Sequence, residues 1–194
     1  DLIFHPEVSE MYGPNFCGFV DMHTLPEKLC GASRPVHFRG VQTVVSKLFH
    51  IMPADRAYFG QKDAQQVVVV KRFVSDLNIP TEVVMVPIVR EESGLARSSR
   101  NQYLSAAEKE AALVLSRSLK KGKAAFDGGE KGVEALKKIV REEIGTEPTA
   151  VIDYVDIYSF PALLPIESVT EPALLAIAVK IGKTRLIDNM ILGE

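Results

Sequence analysis

Residues 56–89 read RAYFGQKDAQQVVVVKRFVSDLNIPTEVVMVPIV, and the fold turns on whether the valines in the middle extend or coil. A run such as Val67–Val70 favours a strand, because β-branched side chains suit a pleated surface. The flanks favour a helix. Asp63 stands where it can cap a helix start, Val67, Val70, Val74 and Leu77 keep helical spacing, and Asn78 with Pro80 supplies a stop. The spacing predicts a helix over 63–78, preceded by a short strand at 56–59 and followed by a strand over 81–89 that Pro87 interrupts. Strand, helix and strand in that order form the βαβ unit of a parallel sheet.

Working outward, GVQTVVSKLFHIM (40–52) carries an apolar stripe through Val41, Val44, Val45, Leu48, Phe49 and Met52, and Pro53 ends it. Residues 1–16 read as irregular chain, CGFVDM (17–22) as a short strand and 25–35 as loop. On the other side, REESGLARSSRNQYL (90–104) is polar and aperiodic. Ser105 and Glu108 then make a capping box for a long helix over 106–124. A turn at 126–132 leads to a helix through Val133, Leu136, Val140 and Ile144, closed by Gly145. From there the period changes to strands at 151–159, 172–180 and 184–192, the last two joined at Gly182-Lys183. The chain therefore divides into residues 1–89, part of an α/β sheet domain, and residues 90–194, a small α+β unit with antiparallel strands.

Composition narrows the function. The chain has 194 residues, 46% hydrophobic, with a net charge of -2, so it suits a packed core and argues against non-specific nucleic-acid binding. Cys17 and Cys30 show no disulfide spacing and fit a reducing, cytoplasmic setting as buried, unpaired thiols. Two cysteines and four scattered histidines argue against a zinc site. No apolar run is long enough to span a membrane.

Two stretches break the hydrophobic pattern and carry chemistry. In FGQKDAQQ (59–66), Gly60 allows close backbone approach, the helix start supplies free N–H groups, and Lys62 adds a cation, all suited to a phosphate. Asp63 can cap the helix, accept a ribose hydroxyl or help hold Mg²⁺, while Gln65 or Gln66 offers an uncharged donor and acceptor. In RSSR (97–100), hydroxyls and guanidinium groups on a flexible loop form an anion receptor. A capped helix with solvated side chains and a plain interdomain linker explain the same letters. Arg34, His37 and Arg39 are further candidates before the helix at 40–52, and Lys183 and Arg185 read as solvent-facing.

EMYG (10–13), LCGASRPVHFRGVQTVVSKLF (29–49), FGQKDAQQ (59–66), PIVREESGLARSSRNQYLS (87–105) and GKTRLIDN (182–189) together resemble the pantothenate synthetase (pantoate–β-alanine ligase) family, in its order and spacing. The resemblance implies a partial Rossmann-like nucleotidyltransferase domain followed by a small α+β lid domain. It implies that pantoate and β-alanine are joined at the expense of ATP and Mg²⁺ through a pantoyl adenylate, in a cytoplasmic homodimer. By matching position, Gly60 would lie against the adenosine, Lys62 would contact the phosphates, Asp63 would hold the ribose and Gln66 would bind pantoate. Val89 would meet the adenine edge, Ser98, Ser99 and Arg100 would grip the triphosphate, and Arg34 and His37 would support the site or a dimer contact. His5, His23, His37 and His50 do not form the family's HxGH-type motif, so the resemblance is to the C-terminal two-thirds, expected to be inactive by itself. Residue 97 is Arg where the family commonly has Met or another uncharged or basic residue, and residue 93 is Ser where Asp is common; both changes add positive character and imply tighter holding of ATP or pyrophosphate. A nucleotidyltransferase of the same superfamily and a non-catalytic dimerisation module are the competing readings.

Overall fold

The computed structural model describes residues 2–194. A short helix α1 (Val8–Met11), a single turn α2 (Cys30–Ser33) and the longer α3 (His37–Ile51) lead into β1 (Arg56–Gly60). Helix α4 (Ala64–Asp76) crosses to β2 (Glu82–Val86), which pairs in parallel with β1 from Arg56 opposite Glu82 to Gly60 opposite Val86. Helices α5 (Ala106–Asp127) and α6 (Val133–Ile144) follow, then β3 (Ala150–Ser159), β4 (Ala173–Ile181) and β5 (Thr184–Leu192). The last three form an antiparallel sheet in the order β3-β4-β5. The architecture is the α/β fold with a parallel βαβ unit and a separate antiparallel sheet.

The valine run is helical because its surroundings are apolar on two sides. Val67, Val70, Phe73 and Val74 pack with Val45 of α3 and Val83 of β2. Val68 points elsewhere, into a second cluster with Leu174 and Ala176 of β4 and Ile191 of β5. Only the side with Lys71, Arg72, Ser75 and Asp76 is exposed, and tertiary burial of the rest overrides the modest helix propensity of valine. β4 is the matching case in the sheet. Every residue from Ala173 to Val179 is buried, with Leu175, Ile177 and Val179 facing α5 and α6 while Leu174 and Ala176 face α4. A strand covered on both faces reads as a continuous apolar run instead of an alternating one.

Local chemistry sets the boundaries. The capping box forms as read: Ser105 Oγ accepts from the Glu108 N–H at 3.3 Å, and Glu108 Oε2 accepts from the Ser105 N–H at 2.8 Å. β2 stops at Val86 because Pro87 has no N–H for the ladder. α3 starts at His37, before the apolar stripe does, and α5 runs on to Asp127. Gly182, at φ +57°, opens the two-residue hairpin between β4 and β5. The expected strand at 17–22 does not form; the segment is irregular and is tied to α3 by the Val20 N–H donating to Thr43 Oγ1 at 3.0 Å. Cys17 is exposed and Cys30 only half-buried, against the expectation that both are buried, and both are free thiols.

Gly122 of α5 marks the tightest helix packing. A Cβ there would stand 2.7 Å from Val140 Cγ2 of α6 and 3.1 Å from Leu175 Cδ2 of β4. Val140 and Leu175 are fully buried and have no room to retreat. In an open helix Gly→Ala stabilises; here overpacking wins, and Gly122→Ala should destabilise the fold by about 1–3 kcal/mol. Urea unfolding of the two proteins checks the sign.

Candidate active site

β1 ends at Gly60, and the chain makes a single 3-10 turn, Gln61–Asp63, before α4 begins. Asp63 occupies the N-cap position, yet its side chain makes no capping bond. The turn is instead held from β5. Asn189 Nδ2 donates to the carbonyls of Gln61 at 2.9 Å and Lys62 at 3.0 Å. Its neighbour Asp188 accepts from Arg90 Nη1 at 2.7 Å and Nη2 at 3.0 Å, a bidentate pair that fixes the start of the polar loop. Gln65 and Gln66 part company. Gln65 is buried, donating to the carbonyls of Leu25 and Lys28 and accepting from the Cys30 N–H, so it staples the 25–30 segment to α4. Both glutamines border the open side, but Gln66, a further 100° round the helix, is the less buried and has no such bonds to the 25–30 segment.

The open side is a narrow cleft of about 50 Å³. Arg34, His37, Lys62, Asp63, Gln66 and Arg100 line it, together with Tyr154 and Arg185 from the antiparallel sheet. Lys62 and Arg100, from the two stretches singled out in the sequence, thus share one wall-to-wall space. Arg185, expected to face water, lines the cleft as well; it binds Asp153 through Nη2 at 2.7 Å and donates toward Cys30 Sγ at 3.9 Å. Tyr154, whose hydroxyl is 3.3 Å from Cys30 Sγ, is pushed well above its ordinary pKa, first by burial and then by Cys30, so it stays a neutral phenol.

The serine turn is braced, not loose. Ser98 Oγ accepts from the Arg100 N–H at 3.2 Å and caps the 3-10 turn Ser99–Tyr103. Asn101 Nδ2 donates to Glu91 Oε1 at 2.8 Å and to the Ala96 carbonyl at 3.1 Å. Arg100 Nη1 reaches the Arg185 carbonyl at 3.4 Å. Ser98 borders a small cavity beside Lys62. Ser99 lines a neighbouring open hollow with Glu91 and Arg97. Gly60 and Val89 lie off the cleft, Val89 at 63% exposure.

The electrostatics are those of an anion site. His37 sits below the ordinary imidazole value of 6.5, first because burial disfavours its charged form and then because of Arg34; Arg100 and Arg185 push the same way, and Asp63 alone opposes them. A half-buried histidine that resists protonation reports positive potential from its neighbours. Arg185 and Asn189 were hidden from local reading, although the adjacent Asp188-Asn189 in an otherwise apolar strand is a signal that buried polar groups there have partners.

His37 should therefore titrate below pH 6.5 by NMR, and inorganic pyrophosphate bound in the cleft should raise its midpoint, since added negative charge favours the imidazolium. An unchanged midpoint at saturating pyrophosphate would place the anion elsewhere. The lowered value also sets a sign for stability: the unfolded chain takes the proton first, so His37's contribution is complete above pH 6.5 and is lost as pH falls through 6.5 toward the folded value. Asp188→Asn should cost about 3 kcal/mol in chemical denaturation, because it breaks a buried, doubly bonded ion pair.

Comparison with known proteins supplies the family. The family model described as Pantoate-beta-alanine ligase matches residues 1–191. The pantothenate synthetase of Pelotomaculum thermopropionicum is 58% identical over 194 residues, covering 100% of this chain and 69% of that protein. That of Heliobacterium modesticaldum is 55% identical over 191 residues, covering 98% of this chain and 68% of its own. Among solved structures, pantothenate synthetase from Thermus thermophilus superposes with a TM-score of 0.94 at 42% identity, covering 98% of this chain and 69% of that one. Pantoate-beta-alanine ligase from Francisella tularensis, complexed with beta-gamma ATP and beta-alanine, gives 0.71 at 29% identity, covering 94% and 61%. The chain spans about two-thirds of the length of these relatives, and along that span it belongs to the pantoate–beta-alanine ligase family of carbon–nitrogen ligases.

Proposed function

We propose that the cleft binds ATP and pantoate and carries out the two half-reactions that join pantoate to β-alanine. One observation carries this reading: Lys62, Gln66 and Arg100 line a single cleft together with Arg34 and Arg185. The ligands of the Francisella relative, ATP and β-alanine, support the same substrates here.

In the first half-reaction a pantoate carboxylate oxygen attacks the α-phosphorus of ATP, the bond to the bridging oxygen breaks, and pyrophosphate leaves. Two anions must meet, and negative charge grows on the leaving group. Lys62, placed by the Asn189 clamp, offsets the repulsion and stabilises that charge; Arg100 binds the triphosphate within the cleft, and the hydroxyls of Ser98 and Ser99 in the adjoining hollows take its far end. Gln66 orients pantoate, Asp63 takes the ribose, and Gly60 and Val89 border the adenosine. In the second half-reaction the neutral amine of β-alanine attacks the acyl carbon of the pantoyl adenylate. The bond to the AMP oxygen breaks, the amine loses a proton, and pantothenate and AMP depart. Burial of the cleft floor by Leu29, Leu174 and Ala176 helps keep water from the adenylate.

The donor set fits Mg²⁺ in its usual nucleotide-borne form. Among the described residues no group of three or more His, Cys, Asp or Glu side chains could cage a metal, and Asp63 is the carboxylate at the cleft that is not already taken by an arginine. Mg²⁺ riding on the phosphates supplies additional charge neutralisation when bound. The further parts of this reading are residues 1–89 as the nucleotide-binding part and 90–194 as the lid, with a cytoplasmic homodimer as the working form. No helix among the described residues is long and apolar enough to cross a membrane. A nucleotidyltransferase would instead leave the nucleotide on its product, so product analysis separates the two: AMP with an amide here, a nucleotidyl product there.

Lys62→Ala should slow pantoyl-adenylate formation by about a hundredfold or more in single-turnover assays, the usual effect of losing one preorganised charge-stabilising donor. A near-normal rate would remove Lys62 from this role.

A further inference from the structure

Between the serine turn and Lys62 lies a small cavity. Lys62, Ser98, Asn101 and Asp188 form its polar side, and Leu115 and Leu186 form part of its apolar side. Its size is room for about one water molecule. Asn101 is only 6% exposed. Because Nδ2 donates to two acceptors, Glu91 Oε1 and the Ala96 carbonyl, the orientation of the amide is fixed. Oδ1 is the other end of that amide, and it is buried with no hydrogen-bond partner among the described residues. Native folds rarely leave such an acceptor unmatched.

The other polar groups around the cavity define what could match it. Both oxygens of Asp188 are engaged by Arg90, and Oδ1 also accepts from the Asn189 N–H at 2.8 Å. Ser98 Oγ already accepts from the Arg100 N–H, which leaves its proton to donate. The Lys62 ammonium is 3.9 Å from Asp63 Oδ2, beyond hydrogen-bond reach, although its side chain is only 17% exposed. The lining residues thus bring donors on Lys62 and Ser98 and one unmatched acceptor on Asn101. A direct bond is not made, and a single water satisfies all three at once.

We propose that this cavity binds one water, which accepts from the Lys62 ammonium and donates to Asn101 Oδ1, making Asn101 a positioning residue for Lys62. The water joins the serine turn to the lysine turn and limits where the ammonium can point before any nucleotide arrives. The functional half of the proposal rests on the role given to Lys62; the structural half does not.

A high-resolution crystal structure of the chain tests the water directly and needs no turnover. The expected result is a density peak within about 2.7–3.2 Å of both Asn101 Oδ1 and Lys62 Nζ. A dry cavity, or a peak that does not touch Lys62, overturns the proposal. The same structure of Asn101→Ala should lack the peak and show the Lys62 side chain displaced. Glu91→Ala, which removes one brace of Asn101 but keeps its Oδ1, should retain both; loss of the Lys62 position in Glu91→Ala would make Asn101 a brace only. Turnover assays of the enzyme supply a second reading. Asn101→Ala should lower kcat about tenfold with little change in the KM for ATP, and adding it to Lys62→Ala should slow the enzyme no further. Multiplying effects in the double variant would overturn the coupling, whereas a near-normal Lys62→Ala with the water in place would sink the role of Lys62 and leave the water site standing.

Discussion

Two adjacent buried side chains of β5, Asp188 and Asn189, hold the cleft together. Successive residues of a strand point to opposite faces, so one dipeptide can reach two different loops. Asp188 turns toward α5 and the polar loop, where Arg90 grips both of its oxygens. Asn189 turns toward α4 and donates to the carbonyls of the Lys62 turn. A carboxylate at 3% exposure is tolerable only when it is paired and bonded, and Asp188 meets that condition through Arg90 and the Asn189 N–H. The strand that completes the antiparallel sheet is therefore also the frame against which the parallel unit sets its lysine.

That frame works because the elements behind it are rigid. α4 is wedged between two apolar clusters, one shared with α3 and β2 and the other with β4 and β5. Its N-terminus cannot shift without moving Val68 off Leu174 and Ala176. Gln65, one residue from the cleft-facing Gln66, fastens the 25–30 segment to the same helix. Side chains carried on helices and strands with locked neighbours keep their geometry better than side chains on free loops. The serine turn gains similar rigidity from the Asn101 brace and the Ser98 cap, even though it lies outside any long element.

How much of this could be read from the letters depended on range. The helices and the βαβ order followed from period and stop signals, and both are local. The 17–22 segment has strand-like residues, but a strand needs a partner, and here its tie is to Thr43 on a helix instead. Arg185 sits at a strand start, where a cation is normally solvated; its burial comes from Asp153, 32 residues earlier on β3, and from Cys30, 155 residues earlier. Nothing within a short window encodes either contact. The choice between Gln65 and Gln66 is open in the letters for the same reason, since it depends on which side of α4 the 25–30 segment covers. Lys62 and Arg100 were legible as candidates, whereas the clamp that brings them together lies more than a hundred residues downstream of Lys62.

The cations in and behind the cleft fall into two groups with different work. Arg90 and Arg185 are each paired with a carboxylate, Asp188 and Asp153, and so serve as struts. Lys62 and Arg100 have no carboxylate within hydrogen-bond reach among the described residues, and His37, held down first by burial, is lowered further by Arg34, Arg100 and Arg185. Like charges held close without counter-ions repel one another, and that repulsion is relieved when an anion enters. A polyanion relieves more of it than a single carboxylate does, so the arrangement favours a phosphate chain over a lone acid. Partial burial protects the attraction from screening that would weaken it at an open surface. The paired arginines fix the geometry, and the unpaired cations, aimed by that geometry, set which ligand the cleft prefers.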